Sequence, residues 1–433
     1  MVGFEASALN TSLRDDLRTI LDAAVRGCDG YALTLRALAR QPSTFTAPLI
    51  LVAAGKAAVP MTRALLETCG DRLVAGVVAM PGGEGIADAR LQVHAAGHPL
   101  PTAESVAAGR GALEIAERAQ GGSRLVVLLS GGASALIEAP AGEIALDDLV
   151  DVTRALLRAG TPIAPFNAVR KHLSAFKGGQ LALRARRSIT LAISDVHAPI
   201  EDDPAVIGSG PTVADPSTFA EADAALRRVE HVPETIRRHI ARGLRGEIAE
   251  TPKPGDPRLA DAAFVLAGGR RDAMAGAAAR ARALGYRVQL VDPPVVGEAR
   301  HAGVALIEQA RVVHDGRPLC VIASGETTVT VRGKGKGGRN QEVVLGALEP
   351  LAHCGPCAFG SIGSDGVDGP TDAAGAIADE STLERAHAAG LDPERALADN
   401  DAYPFFQSLG DLVITGPTGT NVGDVQVLLV QTQ

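Results

Sequence analysis

The chain has 433 residues, of which 46% are hydrophobic and 21% charged, and its formal net charge is −8. That is length for two or three domains, each with its own core. Aromatic residues make up 3% and Trp is absent, so neither base-stacking platforms nor the basic footprint of a nucleic-acid binder is present. The longest apolar runs are strand-length, far short of a membrane-spanning helix. The N-terminal stretch lacks the cationic start and apolar core of a secretory signal, so the expected compartment is the cytoplasm. Five cysteines make no disulfide framework. Cys354-Gly-Pro-Cys357 has redox-motif spacing but precedes an apolar, strand-like run, and it reads as a Gly-Pro turn. Arg outnumbers Lys 36 to six. Five of the six lysines, Lys56, Lys171, Lys177, Lys334 and Lys336, lie beside glycine or in polar clusters. A compact ammonium suits phosphate.

In chain order, Leu13–Leu38 has helical periodicity. Leu49–Ala54 reads as a buried strand followed at once by Gly55-Lys56 and a helix, which puts Lys56 at the carboxyl end of a strand, where open α/β sheets bind ligands. Val74–Met80 is a second strand. Gly97-His98-Pro99 makes a rigid turn before a helix from about Ala103 to Ala119. Arg124–Leu129 is a strand running into Ser130-Gly131-Gly132-Ala133-Ser134, whose glycines and hydroxyls can cradle phosphate through backbone amides. Tight packing at a strand end also recruits glycine, and the loop is neither a Walker A sequence nor GxGxxG. Helical spacing puts Lys171, Ser174 and Lys177 on one face. Ser188–Ile193 is a strand ending at Ser194-Asp195, where the carboxylate can hold Mg²⁺, orient a hydroxyl or cap a helix. Residues 215–246 return to helix. Glu250–Pro257, with three prolines, marks the expected domain boundary or hinge.

Beyond it, Ala263–Ala267, an Ala/Arg-rich helix and Tyr286–Val291 make a βαβ unit, and a helix runs on to about Val313. The run Leu319–Ala323 leads into Ser324-Gly-Glu326 and an alternating strand over Thr327–Val331. A four-glycine loop follows, carrying Arg332, Lys334, Lys336 and Arg339, and Asn340 opens a helix. Glycines let amides approach a ligand, and cations on such a loop suggest an anionic partner. A solvated basic turn is the plainer reading of an isolated run. Strand Phe359–Ile362 ends in a loop with Asp365, Asp368 and Asp372 among glycines, a candidate divalent-cation or polar-ligand loop without EF-hand spacing. Leu412–Thr415 and Val425–Val430 close the chain. Alternating strands and helices with polar glycine loops at strand ends predict two α/β domains sharing a cleft, over residues 1–249 and 258–433.

Taken together, AAGKAA (53–58), GHPLP (97–101), LLSGGASAL (128–136), KHLSAFKGG (171–179), GSGPT (208–212), SGETTVTVRGKGKGGRNQE (324–342), GSDGVDGPTDAAGA (363–376) and LGDLVITGPTGTNVGD (409–424) resemble the bacterial glycerate 2-kinases with a C-terminal MOFRL domain, a family also labelled hydroxypyruvate reductase. The resemblance implies a Rossmann-like N-terminal domain and a MOFRL region over about 316–430. It implies transfer of the ATP γ-phosphoryl group to the 2-hydroxyl of D-glycerate, with ATP and Mg²⁺ as cofactors, in a monomer or homodimer. The family's cleft Lys and Arg map onto Lys56 and Arg339. Ser130, Gly131, Gly132, Ser134, Lys171 and Lys177 would meet the nucleotide phosphates, Glu326 and Asn340 the polar cleft, and Asp195 and Asp365 the metal. Two departures stand out: SGGAS replaces the usual SGGGS, and His197-Ala198-Pro199 is inserted after Ser194-Asp195-Val196. Two other functions are open to the sequence. An NAD(P)H-dependent reductase is opposed by the missing GxGxxG with its following acidic residue. A non-catalytic metabolite sensor would bind the same ligands without turnover.

Overall fold

The computed structural model describes residues 2–83, 85–120, 122–311 and 317–431. The first sheet is wholly parallel: β1 Leu49–Ala54, β2 Leu73–Met80, β3 Leu91–Ala95, β4 Arg124–Leu129, β5 Ser188–Ile193 and β6 Ala262–Gly268, in the order β3-β2-β1-β4-β5-β6. Parallel sheets carry helices on both faces, so their strands are continuous apolar runs. Every residue of β1 (LILVAA) and β5 (SITLAI) is buried. The edge strand β3 (LQVHA) is half exposed and too mixed to stand out in the sequence. Strand order reverses between β1 and β4, the switch point where the loops after neighbouring strands diverge and leave a crevice.

The second sheet is mixed. It contains β7 Arg287–Leu290, β8 Val295–Glu298, β9 Leu319–Thr328, β10 Cys357–Gly363, β11 Gly375–Asp379, β12 Leu412–Val413 and β13 Asp424–Val430. The order is β12-β11-β10-β13-β9-β7, with β8 beside β7 on the same edge of β9. The pairs from β12 to β9 are antiparallel, and β7 and β8 run parallel to β9. Its core joins β9, β10, β11 and β13 to the helices Ala299–Arg311, Arg339–Gly346 and Ala402–Leu409 through Val321, Phe359, Val343, Val344, Phe406 and Leu428.

These sheets organise two compact units: residues 30–196 and 202–268 around the parallel sheet, and residues 1–29, 197–201 and 269–433 around the mixed one. The two α/β domains are therefore present, but their limits differ from the expected 249/258 boundary. The proline-rich stretch is fastened down. Glu250 accepts hydrogen bonds from His172 Nε2 (2.8 Å) and Phe219 N (2.9 Å), and Thr251 Oγ1 donates to Asp215 (2.9 Å). It leads into β6, which pairs with β5, so the chain leaves the first unit only after Gly268. At the other end, the helical pattern of Leu13–Leu38 is two helices, Val2–Gly27 and Gly30–Ala39, assigned to different units. A hydrophobic stripe reports that a helix has a buried face, not which core receives it.

Several other elements differ from the sequence reading. Thr327–Val331 is not a separate strand, because β9 runs unbroken to Thr328 and an extended loop follows. The helix carrying Lys171 ends at His172, since Ala175 N donates to Ala139 O (2.7 Å) and Ser174 bridges to Pro140. Lys171, Ser174 and Lys177 therefore do not share a helical face. The span 215–246 is two helices, Phe219–Leu226 and Glu234–Leu244. The helix after β8 is followed to Arg311, and its expected end near Val313 lies outside the described residues.

Candidate active site

In the parallel-sheet unit, the loops after β1 and β4 are bonded to each other across the switch point. Lys56 N donates to Gly131 O (2.9 Å), and Ala57 N donates to Ser130 Oγ (2.9 Å). Gly55 makes this approach possible: its φ is +127°, and a Cβ there would lie 2.1 Å from Ser130 Oγ. Lys56 is thus half-buried at a strand end, with its backbone locked to the Ser130–Ser134 loop. Gly132 takes the left-handed turn (φ +85°), and Ala133 already begins the helical turn Ala133–Leu136. The SGGAS departure consequently falls where no positive φ is required.

Ser134 meets two residues, Ser209 and Arg170, to which the sequence assigned no role. Its Oγ lies 2.9 Å from Ser209 Oγ, and its carbonyl accepts from Arg170 Nη2 (2.7 Å). Ser209 Oγ is in turn 3.5 Å from Asn167 Oδ1. Ser209 is fully buried with φ +61°, between Gly208 (+58°) and Gly210 (+59°). A non-glycine residue held there costs about 1–2 kcal/mol, and such strain collects at functional turns. The GSGP sequence was its only signal.

Lys171 and Lys177, expected at phosphates, are each paired with a buried carboxylate. Lys171 Nζ is 3.1 Å from Asp215 Oδ1, and both side chains are buried. Lys177 is fully buried on Glu138, whose other oxygen accepts from Ser174 Oγ (2.6 Å). Burial lowers the Lys177 ammonium to about 8 despite the opposing charge of Glu138. These lysines tie the 137–140 and 171–179 segments and the 215 turn together. Asp195 stands half-buried just beyond β5, in the SDV stretch.

In the mixed-sheet unit, the polar centre is Arg339. Its Nε and Nη2 donate to the two oxygens of Asp424 (2.7 and 2.9 Å), and Nη1 donates to Glu326 (2.7 Å). Asp424 is fully buried, and that burial raises its pKa against the pull of Arg339. Asn340 Nδ2 donates to Asp424 (3.0 Å), and its Oδ1 accepts from Ser361 Oγ (2.6 Å). Asp368 caps the helix Arg339–Gly346, accepting from Asn340 N (3.0 Å) and Gln341 N (2.9 Å). Burial pushes the Asp368 carboxyl up to about 7. The structure thus brings Arg339, Asn340 and Glu326 into one cluster and adds Asp424, which lies in a quoted motif but was given no role, and Asp368, which was expected in a cation or polar-ligand loop.

The aspartate loop does not gather. Asp368 points into the helix cap, Asp372 accepts from Tyr403 OH (2.6 Å), and half-buried Asp365 accepts from Val367 N (3.1 Å). No three His, Cys, Asp or Glu side chains form a metal cage among the described residues. The glycine-rich loop is also occupied. Arg332 N and Gly333 N donate to Asn400 Oδ1, Lys334 N to Asp399 and Lys336 N to Asp401, at 2.8–3.0 Å. Gly333 and Gly335 lie so close to the 399–401 backbone that a Cβ would be 2.2 and 2.6 Å from Asp399 O. The acceptors that these amides bind, one amide oxygen and two carboxylates, belong to the chain itself, and the side chains of Arg332, Lys334 and Lys336 are exposed.

Comparison with known proteins agrees with this arrangement. Residues 16–241 match the family model described as a domain of unknown function, DUF4147, and residues 319–424 match the MOFRL family. The chain is 38% identical over 392 residues to a glycerate 2-kinase of Pyrococcus horikoshii, covering 88% of this chain and 87% of that protein. The chain belongs to the glycerate kinase family. A D-glycerate 2-kinase of Thermotoga maritima is 37% identical over 88% of this chain and 90% of its own length. The crystal structure of a Thermotoga maritima glycerate kinase superposes with a TM-score of 0.83 at 34% identity, over 97% of this chain and all of that one. The chain is thus an α/β enzyme of that family. Two relatives from Agrobacterium vitis, both 36% identical, carry only a provisional hydroxypyruvate reductase name. Among the described residues, no helix is long and apolar enough to cross a membrane.

Proposed function

We propose that this family member is an ATP-dependent glycerate 2-kinase, moving the γ-phosphoryl group of ATP to the 2-hydroxyl of D-glycerate. The observation that carries the proposal is the lock between Lys56 and the Ser130–Ser134 loop at the switch point of the parallel sheet. Phosphoryl transfer needs in-line positioning and stabilisation of charge on the equatorial oxygens, with little covalent participation by the protein. Ser130, Gly131, Gly132 and Ser134 hold the nucleotide phosphates, braced by Ser209 and Arg170. Lys56 supplies the point charge on the transferring group. The glycerate 2-hydroxyl oxygen attacks Pγ, the bond from Pγ to the β-γ bridging oxygen breaks, ADP leaves, and the hydroxyl proton passes to water.

Arg339 has five N–H donors, of which Asp424 and Glu326 take three. The remaining two suit the glycerate carboxylate, with Asn340 and Glu326 shaping the polar surroundings. The fork of Arg339 is already given to Asp424, so Arg339 acts as a pre-set donor. Mg²⁺ usually uses one or two protein carboxylates and completes its shell with phosphate oxygens and water. Asp195 and Asp365 fit that role as single carboxylates without a cage. The ion, when bound, would neutralise charge on the β- and γ-phosphates. Lys171 and Lys177 have no part in this scheme, because their ammonium groups are committed to buried carboxylates.

The reductase reading has the strand order of a dinucleotide-binding sheet in its favour. Fold alone does not assign chemistry, and the first loop, Gly55-Lys56-Ala57-Ala58, carries one glycine and a cation in place of the glycine fingerprint. Incubation with ATP, Mg²⁺ and D-glycerate, with coupling enzymes that separate 2-phosphoglycerate from 3-phosphoglycerate, tests the proposal. Accumulation of the 2-phosphate supports it. NADH oxidation with hydroxypyruvate, and no ATP consumption, refutes it.

A further inference from the structure

His197 begins the five-residue segment His197–Glu201, which belongs to the mixed-sheet unit although the chain on either side of it does not. Its side chain is 7% exposed, and neither Nδ1 nor Nε2 has a hydrogen-bond partner. Leaving a buried donor or acceptor unmade costs about 1–3 kcal/mol, so such groups call for an explanation. Another buried histidine of the chain shows the usual solution: both ring nitrogens of His172 are bonded, to Ala168 O and Glu250, each at 2.8 Å. The position of His197 is fixed from both sides. Glu201 is held by Arg270 through Nε and Nη2, both at 2.9 Å. The imidazole lies directly over Gly423, where a Cβ would come within 2.1 Å of Nε2 and 2.9 Å of Cε1. The next residue, Asp424, is the one gripped by Arg339 and Asn340.

We infer that His197 is a specificity residue of the phosphoryl-acceptor site, hydrogen-bonding the substrate hydroxyl that does not receive the phosphoryl group. The inference rests on the kinase reading above. Arg339 presents its two remaining N–H donors, which suit a carboxylate. A hydroxyl both donates and accepts, and a neutral imidazole offers one of each. On D-glycerate, the 2-hydroxyl must face the nucleotide, which leaves the 3-hydroxyl to be recognised. Gly423 supplies the room, since any side chain there would displace the ring.

The test compares D-glycerate with D-lactate, which keeps the carboxylate and the 2-hydroxyl but lacks the 3-hydroxyl. A site built around a substrate hydroxyl rejects the analogue without it by large factors. Wild type should therefore favour D-glycerate by about 10²-fold or more in kcat/KM. His197→Ala should remove most of that preference by lowering kcat/KM for D-glycerate alone, with KM for ATP unchanged. His197→Gln, which retains a donor and an acceptor, should restore part of it. Should the Ala variant fail to fold, His197→Asn and calorimetric titration of D-glycerate into each folded variant carry the comparison. Equal losses on both acceptors, or no loss on either, overturn the inference and leave the kinase reading intact. A wild-type enzyme inactive on D-glycerate overturns both.

Discussion

The two units fix their proposed catalytic cations in opposite ways. In the parallel-sheet unit, Lys56 is positioned through its backbone, which a glycine turn and two hydrogen bonds hold against the Ser130–Ser134 loop. In the mixed-sheet unit, Arg339 is positioned by its own charged end, which a fully buried aspartate and an exposed glutamate hold. Placement by backbone separates function from stability, whereas placement by ion pair joins them. Lys171 and Lys177 carry the second arrangement further, since both members of each pair are buried.

Substitutions can break this contrast, beginning with the largest expected effect. Arg339→Ala should abolish measurable turnover and also destabilise the protein by about 3–5 kcal/mol, because Asp424 is left as a buried charge without its partner. Denaturant unfolding checks the second part, and an unchanged midpoint would contradict the ion-pair account. Lys177→Met should cost a similar amount, about 3–5 kcal/mol, by stranding Glu138, while KM for ATP in the surviving folded enzyme stays within about twofold of wild type. A selective rise in KM without loss of stability would return Lys177 to the phosphates.

A smaller effect sharpens the same comparison through pH. Burial raises the Asp368 pKa from 3.8 to about 7, so between those values the folded state binds more protons than the unfolded state. Its contribution is fully present below pH 3.8 and is lost as pH rises through 7. Wild-type stability relative to Asp368→Asn should accordingly fall with pH across that window, by up to about 1.4 kcal/mol per unit. Thermal unfolding of both proteins at closely spaced pH values reads the slope, and a slope of opposite sign would contradict the assignment. The smallest effect is expected for Ser209→Gly. Relief of the left-handed residue, about 1–2 kcal/mol, offsets the lost hydrogen bond to Ser134, about 1 kcal/mol. The melting temperature should shift little while KM for ATP rises a few-fold.

Much of this architecture was legible in the sequence because burial writes itself into composition. Strands enclosed on both faces, such as Leu49–Ala54 and Arg124–Leu129, are unbroken apolar runs. The loops after β1, β4, β5, β9 and β10 could be found as polar glycine clusters at the ends of such runs. What was hidden depends on pairing across long sequence distances. That Lys177 faces Glu138, or that Asp399 and Asp401 occupy the amides of the 334–336 loop, follows from tertiary contacts that no local pattern encodes. The unit boundary was misread for the same reason. Three prolines signal an extended segment, but only the pairing of β6 with β5 shows that this segment stays with the parallel sheet.

The most direct test of the central claim is ³¹P NMR of the product formed from ATP and D-glycerate by wild type and by Lys56→Ala, at matched concentrations of folded protein. The account predicts 2-phosphoglycerate from wild type. For the variant it predicts a rate lower by about 10²–10³-fold, the usual consequence of removing one transition-state charge contact. Product formation by Lys56→Ala within a few-fold of wild type, or phosphate on the 3-hydroxyl, would contradict it.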